Sequence, residues 1–188
     1  TIEAAAKRAF ISPEGFLSRM DEIGIEEAVA MMSVLSDTKN RQDPILLVYD
    51  NFFSPPKCFL SRLKQYKNAG DRSVLKWVSD KDALRGPEDI LVLELLTKRF
   101  QAVAFMVAVE LADAGVASIQ DLDRFCRTEF GWKEGPFSMM NRIGIEEALQ
   151  MVIEKIDLSC QSEISFPVPK LMIKQAQLRI PWPLNSGA

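Results

Sequence analysis

The amino-acid sequence predicts an all-α protein, because apolar residues recur with the helical period along most of its 188 residues. Strand-like alternation is nearly absent, and only 45–49 and 74–78 could form short strands. The chain also repeats itself: segments 10–31 and 130–151 are identical at 12 of 22 positions without a gap. Such repetition indicates two copies of one helical unit in tandem.

Composition excludes several classes of protein. The 47% apolar and 26% charged residues are typical of a globular protein, and a net charge of -3 offers no basic surface for nucleic acid. No apolar stretch approaches the roughly twenty residues of a membrane span, and no secretory leader is visible. Three scattered cysteines predict neither disulfides nor a metal site, so we expect a cytoplasmic protein. The absence of histidine removes every His-based triad and every His-ligated metal.

Two matching stretches of sequence define the repeat. Identical IGIEEA hexapeptides stand at 23–28 and 143–148, each with a glycine that stops one helix and two glutamates that suit the first turn of the next. A second match follows after a loop that is seven residues shorter in the later copy. It pairs Phe53, Pro56 and Lys57 with Phe166, Pro169 and Lys170.

This alignment predicts two helical units, residues 1–80 and 81–188, with the junction near 70–82. Thr1 aligns with Asp121, so the first unit lacks a counterpart of the long helix that opens the second. We therefore expect a truncated first copy, excised from a larger protein.

The longest predicted helix, about 87–115, forms the centre of the second unit. Pro87 suits a first helical turn, and Gly115 suits a C-terminal cap. About 27 residues make a rod of roughly 40 Å, and its apolar residues occupy more than one face. We expect both units to share this rod, or a second chain to cover the first unit, and either arrangement should bury Phe16 and Ile23.

Further sequence features predict where the remaining helices of the second unit begin and end. Ser118 and Asp121 predict a capping box and a helix that runs to about Glu129. A glycine-rich turn and a short helix follow. A last amphipathic helix begins near Glu146.

Nine residues of the second unit follow one another in a distinctive order and spacing: Arg99, Gly115, Asp121, Asp123, Gly131, Gly135, Pro136, Phe137 and Gly144. This order resembles the C-terminal helical domain of the 3-hydroxyacyl-CoA dehydrogenase family. There, a long helix opening with Asn-Arg leads to a glycine, an Asp-x-Asp helix, a turn ending in Gly-Pro-Phe, and a short helix. Tandem copies are similar to those of the multifunctional β-oxidation enzymes.

The resemblance implies an oxidoreductase that oxidises 3-hydroxyacyl-CoA to 3-oxoacyl-CoA with NAD in fatty acid β-oxidation. In that family the helical domain closes over the acyl chain and supplies much of the dimer or interdomain contact. The implied partners are the NAD-binding domain of the parent polypeptide and an acyl-CoA substrate, and a homodimer is a further option.

The departures from the family pattern predict that this chain alone is inactive. Lys98 stands at the family's Asn position, so we predict no catalytic residue, and no GxGxxG turn is present to hold NAD. We therefore expect no cofactor and no metal in this chain. The substrate-side candidates are Lys98, Arg99, Trp132 and Phe137. The alternative is a non-enzymatic helical module for protein interaction or acyl-CoA binding on the same scaffold.

Two of the candidates also have an ordinary structural explanation. Trp132 could anchor the glycine-rich turn to the core instead of lining an acyl pocket. Lys98 could be a solvated charge paired with Glu94, one helical turn earlier.

Overall fold

The fold is built from helices alone. The computed structural model describes residues 1–37, 54–68, 76–78, 89–160 and 167–184. Within these ranges there are nine helices and no strand, which confirms the all-α class. The possible strand at 45–49 lies outside the described residues, as does most of the junction expected at 70–82.

The nine helices of the described residues are α1 (Ile2–Phe10), α2 (Phe16–Ile23), α3 (Ile25–Ser36), α4 (Lys57–Asn68), α5 (Ile90–Asp113), α6 (Ile119–Glu129), α7 (Pro136–Ile143), α8 (Ile145–Cys160) and α9 (Lys170–Leu178). None of them is both long enough and apolar enough to cross a lipid bilayer.

The long helix α5 begins and ends with recognisable caps. The carboxylate of Asp89 accepts hydrogen bonds from two first-turn amides, at 2.8 and 3.3 Å. At the other end Gly115 adopts φ +69°, and the amide of Val116 donates to the carbonyl of Leu111 at 3.0 Å. This is a Schellman motif, which requires the left-handed conformation that glycine allows. Pro87, the expected first-turn residue, lies outside the described residues.

The core forms around α5, which packs against α1 as well as against α6, α7, α8 and α9. Helix α5 contributes buried side chains on adjacent faces, and α1 contributes the apolar face that contains Ala9 and Phe10. The largest fully buried side chains are Phe105, Phe137, Met106, Met139, Met140, Met172, Val109 and Val152. A single apolar cluster thus joins the N-terminal helix to the helices that follow residue 89.

The expected burial of Phe16 and Ile23 is wrong for the single chain. Phe16 is 41% exposed and Ile23 is 51% exposed, whereas Phe10 and Val29 are buried. The reason is that the first helices meet α5 mainly through α1, so α2 and α3 keep an uncovered apolar edge. Cover by a second chain remains a prediction.

The identical hexapeptides adopt the same local structure. In both, a short helix stops at a glycine and a new helix starts directly after it. Gly24 has φ +89° and ψ 145°, and Gly144 has φ +106° and ψ 134°. Each glycine amide donates to the methionine carbonyl four residues earlier, at 2.9 Å. A side chain at either glycine would be strained, since L-residues rarely adopt this φ.

Candidate functional site

A buried carboxylate organises the glycine-rich turn before α7. Asp123 of α6 is only 3% exposed, and it accepts hydrogen bonds from the amides of Phe137 (2.7 Å) and Ser138 (3.0 Å) and from the Ser138 hydroxyl. It therefore satisfies the free amides at the start of α7. The contact is so close that a Cβ on Gly135 would lie 2.3 Å from the Asp123 carboxyl carbon. This turn thus needs both the carboxylate and the glycine.

Glu3 of α1 performs the same task for α2. Its carboxylate accepts hydrogen bonds from the amides of Gly15 and Leu17, both at 2.9 Å, and from the Ser18 hydroxyl. A Cβ on Gly15 would lie 2.5 Å from a Glu3 carboxylate oxygen and 2.8 Å from its backbone oxygen. Glu3 stands 120 residues before Asp123, so the matching role falls at the position that the repeat aligns.

The hydrogen bonds to Glu3 lower its pKa. Burial by itself would raise the pKa of this carboxyl above 4.5, but the Ser18 hydroxyl and the amides of Gly15, Leu17 and Ser18 outweigh that effect. The folded state therefore holds the Glu3 proton less tightly than the unfolded state does. The stabilisation is complete above the unfolded pKa and is lost as the pH falls through the lower folded pKa.

We expect Glu3→Gln to remove this acid-sensitive part of the stability. Above about pH 6, urea unfolding should show a lower free energy of unfolding for Glu3→Gln than for the wild type, by about 1 kcal/mol at most because the carboxylate is partly solvated. The difference should shrink as the pH falls below 4.5. Glu26→Gln, at an exposed position in α3, is the control. Parallel pH profiles for wild type and Glu3→Gln would contradict this interpretation.

An aromatic contact fastens α1 to the glycine-rich turn. The rings of Phe10 and Trp132 stack with centroids 3.8 Å apart and an interplanar angle of 9°. Phe16 adds an edge contact to Phe100 of α5, with centroids 5.1 Å apart. Lys133, beside the tryptophan, donates its amide to the carbonyl of Phe10 at 3.1 Å. We call this group of contacts, centred on Phe10 and Trp132, the aromatic joint.

Two of the four substrate-side candidates, Trp132 and Phe137, pack against other aromatic side chains. Trp132 has one ring face covered by Phe10 in the aromatic joint. Phe137 is fully buried and makes an edge contact with Trp182, with centroids 5.1 Å apart. In this arrangement the ring of Phe137 faces other protein side chains and has no exposed surface for a ligand.

The other two candidates, Lys98 and Arg99, are adjacent on α5 but differ in environment. Lys98 is exposed, and Glu94 pairs with Arg8 at 3.7 Å, so the expected Lys98 pair does not form. Arg99 is half-buried, and its Nε is buried without a hydrogen-bond partner. Lys155 of α8 lies close enough to Arg99 to be affected by its charge: burial first, and the Arg99 charge second, lower the pKa of Lys155.

A groove of about 470 Å³ runs between α8 and α9. Its rim carries an ion pair between Glu146 and Arg179, at 2.9 Å, with both side chains well exposed. Apolar and polar side chains contribute equally to its walls. The lining residues are Glu146, Leu149, Gln150, Ile153, Ile173, Ala176, Gln177 and Arg179.

Cys126 is not an activated nucleophile. Burial first, and the negative charge of Asp123 second, raise the pKa of its thiol to about 11. Among the described residues, no group of three or more acidic, cysteine or histidine side chains could hold a metal ion.

The sequence did not single out three residues that make notable interactions in the structure. Glu3 and Lys155 looked like ordinary helix-surface charges, and Phe10 looked like one apolar residue among many. A signal for Glu3 was present, because the repeat aligns it with Asp123. Lys155 had no such signal, since its nearness to Arg99 depends on how α8 packs against α5.

Residues 96–177 match the family model described as 3-hydroxyacyl-CoA dehydrogenase, C-terminal domain. The match covers most of α5 and the whole of α6 to α8, and it ends within α9. No curated protein and no solved structure matches the chain.

Proposed function

We propose that this chain is the substrate-side and assembly region of a 3-hydroxyacyl-CoA dehydrogenase, the class of oxidoreductase that converts 3-hydroxyacyl-CoA to 3-oxoacyl-CoA in fatty acid β-oxidation. The observation that carries the proposal is the family match over 96–177. The matched segment includes the buried Asp123 and the Gly135 turn that it holds. In the whole protein, these helices would close over the acyl chain while another domain binds NAD.

Three features support a copy of the helical unit within residues 1–80. Helices α1 to α4 follow the same order as α6 to α9, and α4 and α9 begin at the lysines paired by the repeat. Glu3 and Asp123 make matching hydrogen bonds to the following turn. Gly24 and Gly144 share one unusual backbone conformation. We therefore propose tandem copies in units 1–80 and 81–188, as in a multifunctional enzyme.

The described residues do not fit NAD. A dinucleotide site needs a strand, a glycine-rich turn and a helix whose first amides face the pyrophosphate, and the described residues contain no strand. We therefore assign NAD to a separate domain of the parent polypeptide. A cytoplasmic location and a homodimer that covers Phe16 and Ile23 belong to the same proposal.

The purified chain should neither bind NADH nor oxidise a 3-hydroxyacyl-CoA. Calorimetric titration with NADH and a turnover assay that follows NADH absorbance test both expectations. An intact enzyme of the family, assayed in parallel, is the positive control. Binding of NADH with a micromolar Kd would contradict the proposal, because the described residues offer no pyrophosphate cradle.

The alternative is a non-enzymatic module that binds acyl-CoA or another protein. Lys98 favours it, since this residue stands where the catalytic copies of the family carry asparagine. The gene sequence upstream of the Thr1 codon separates the two proposals. A strand, a GxGxxG turn and a histidine encoded there would support the dehydrogenase, whereas their absence would favour the module.

A further inference from the structure

A short non-helical segment, residues 76–78, is bound to α2 through its backbone. The carboxylate of Asp21 in α2 accepts hydrogen bonds from the amide of Trp77 at 2.7 Å and from the amide of Val78 at 2.9 Å. One carboxylate therefore holds two successive amides, and hydrogen bonds to an ionised acceptor are stronger than those between neutral groups. We call residues 76–78 the strap.

Helix α4 holds the strap from its other side. Arg62 donates Nη2 to the carbonyl of Lys76 at 2.7 Å, and its guanidinium carbon lies 5.0 Å from the centroid of the Trp77 ring, which suits a cation–π contact. Phe59 contacts the same ring, with centroids 5.2 Å apart. Among the described helices α4 packs chiefly against α3, so the strap adds a connection between α4 and α2.

The later helices hold a tryptophan in a similar way. Asn141 of α7, which stands 120 residues after Asp21, accepts from the amide of Trp182 at 2.7 Å and donates to its carbonyl at 3.0 Å. Gln175 of α9, which the repeat aligns with Arg62, donates to the carbonyl of the residue before this tryptophan at 3.2 Å. The sequence between these positions differs in length, so this equivalence is visible in the structure rather than in the alignment.

The two tryptophans differ in how deeply they are buried. Trp182 is 4% exposed, and its ring contacts the fully buried Phe137 within the apolar core. Trp77 is only half-buried, and Lys76 is exposed. A cleft of about 400 Å³ remains between the strap and α2, lined by Ser18, Asp21, Glu22, Lys76 and Val78. Local opening requires least free energy where few buried apolar contacts are broken, and this condition applies to Trp77 and not to Trp182.

We propose that the strap is a reversible fastening, which opens and closes on α2 and α4 while the core around α5 stays folded. Closed, it fixes α2 against α4. Open, it makes the side chains of Asp21 and Phe59 accessible and releases one connection between the two helices. Trp182 has no such freedom, because its release would remove a ring from the core.

Amide hydrogen exchange, followed by NMR on the full chain, tests the proposal. An amide exchanges when its hydrogen bond opens, so its rate, relative to that of an unstructured peptide, reports how often this happens. The amides of Trp77 and Val78 should exchange about 10-fold or more faster than those of Trp182 and Phe105. Asp21→Ala should accelerate the exchange of Trp77 and Val78 by a further 10-fold, roughly, and leave Phe105 of the core unchanged.

Glu22→Ala is the matched control, because it removes the neighbouring exposed carboxylate and should change these rates less than about 2-fold. Asp21→Asn should lie between the two, since Asn141 holds a tryptophan amide with a carboxamide. Equal protection of Trp77 and Phe105 in the wild type would overturn the proposal, as would exchange of Trp77 at the rate of an unstructured peptide. The wild-type comparison remains decisive if Asp21→Ala fails to fold.

Discussion

Phe10→Ala is expected to lower the free energy of unfolding by about 3 to 5 kcal/mol, the usual range for removing a buried phenylalanine. The side chain is 2% exposed, and its ring stacks on Trp132 at 3.8 Å. Its loss would open a cavity where α1 meets the glycine-rich turn. Urea unfolding followed by far-ultraviolet circular dichroism measures the change.

Phe125→Ala is the matched control, because Phe125 is 51% exposed and its ring contacts Phe130 at the surface. It should cost less than about 1 kcal/mol. A double-mutant cycle between Phe10→Ala and Trp132→Ala should give a coupling energy of about 1 kcal/mol. Additive effects, or a Phe10→Ala variant as stable as wild type, would show that the aromatic joint does not hold α1 in solution.

Asp123→Ala is expected to destabilise the protein by about 3 kcal/mol or more. The substitution removes an acceptor for two backbone amides and one hydroxyl, and it leaves the buried amide of Phe137 without a partner. It also empties space next to Gly135, where the backbone and the carboxylate are in close contact. Thermal and urea unfolding should report the same loss.

The control for this prediction is Glu129→Ala, a carboxylate removed from an exposed position at the end of the same helix. Its effect should stay within about 0.5 kcal/mol. Asp123→Asn should lie between the two, because one oxygen remains as an acceptor while the new amide group faces other donors. Equal stability of Asp123→Ala and Glu129→Ala would show that the carboxylate does not hold the turn.

Local signals in the sequence were sufficient to predict the helices of the second unit. Ser118, Gly115 and the IGIEEA glycines mark helix ends through backbone chemistry that acts within a few residues. One detail differs from the expected capping box. Ser118 accepts a hydrogen bond from the Asp121 amide, as expected. The Asp121 carboxylate, however, accepts from the Ser118 hydroxyl and pairs with Arg124 at 2.6 Å.

Packing between distant segments could not be predicted in the same way. Nothing near Trp132 in the sequence indicates that its ring stacks on Phe10, and nothing near Lys155 indicates that the charge of Arg99 affects it. Both interactions depend on how whole helices pack against α5. The exposure of Phe16 and Ile23 has the same origin. Both residues lie on α2, whereas α1 makes most of the contact with α5, and the hydrophobicity of the two residues does not reveal this.

The sharing of α5 between the first and the later helices has a consequence during synthesis. Helix α1 leaves the ribosome before α5, because Gln101, which donates to the carbonyl of Ala9 at 3.0 Å, follows 92 residues later. At about 5 to 20 residues per second, the α5 contacts reach α1 only after roughly 5 to 20 s. During that interval α5 cannot cover the apolar face of α1, including Phe10, so this segment is exposed to aggregation and to chaperones until α5 has been made.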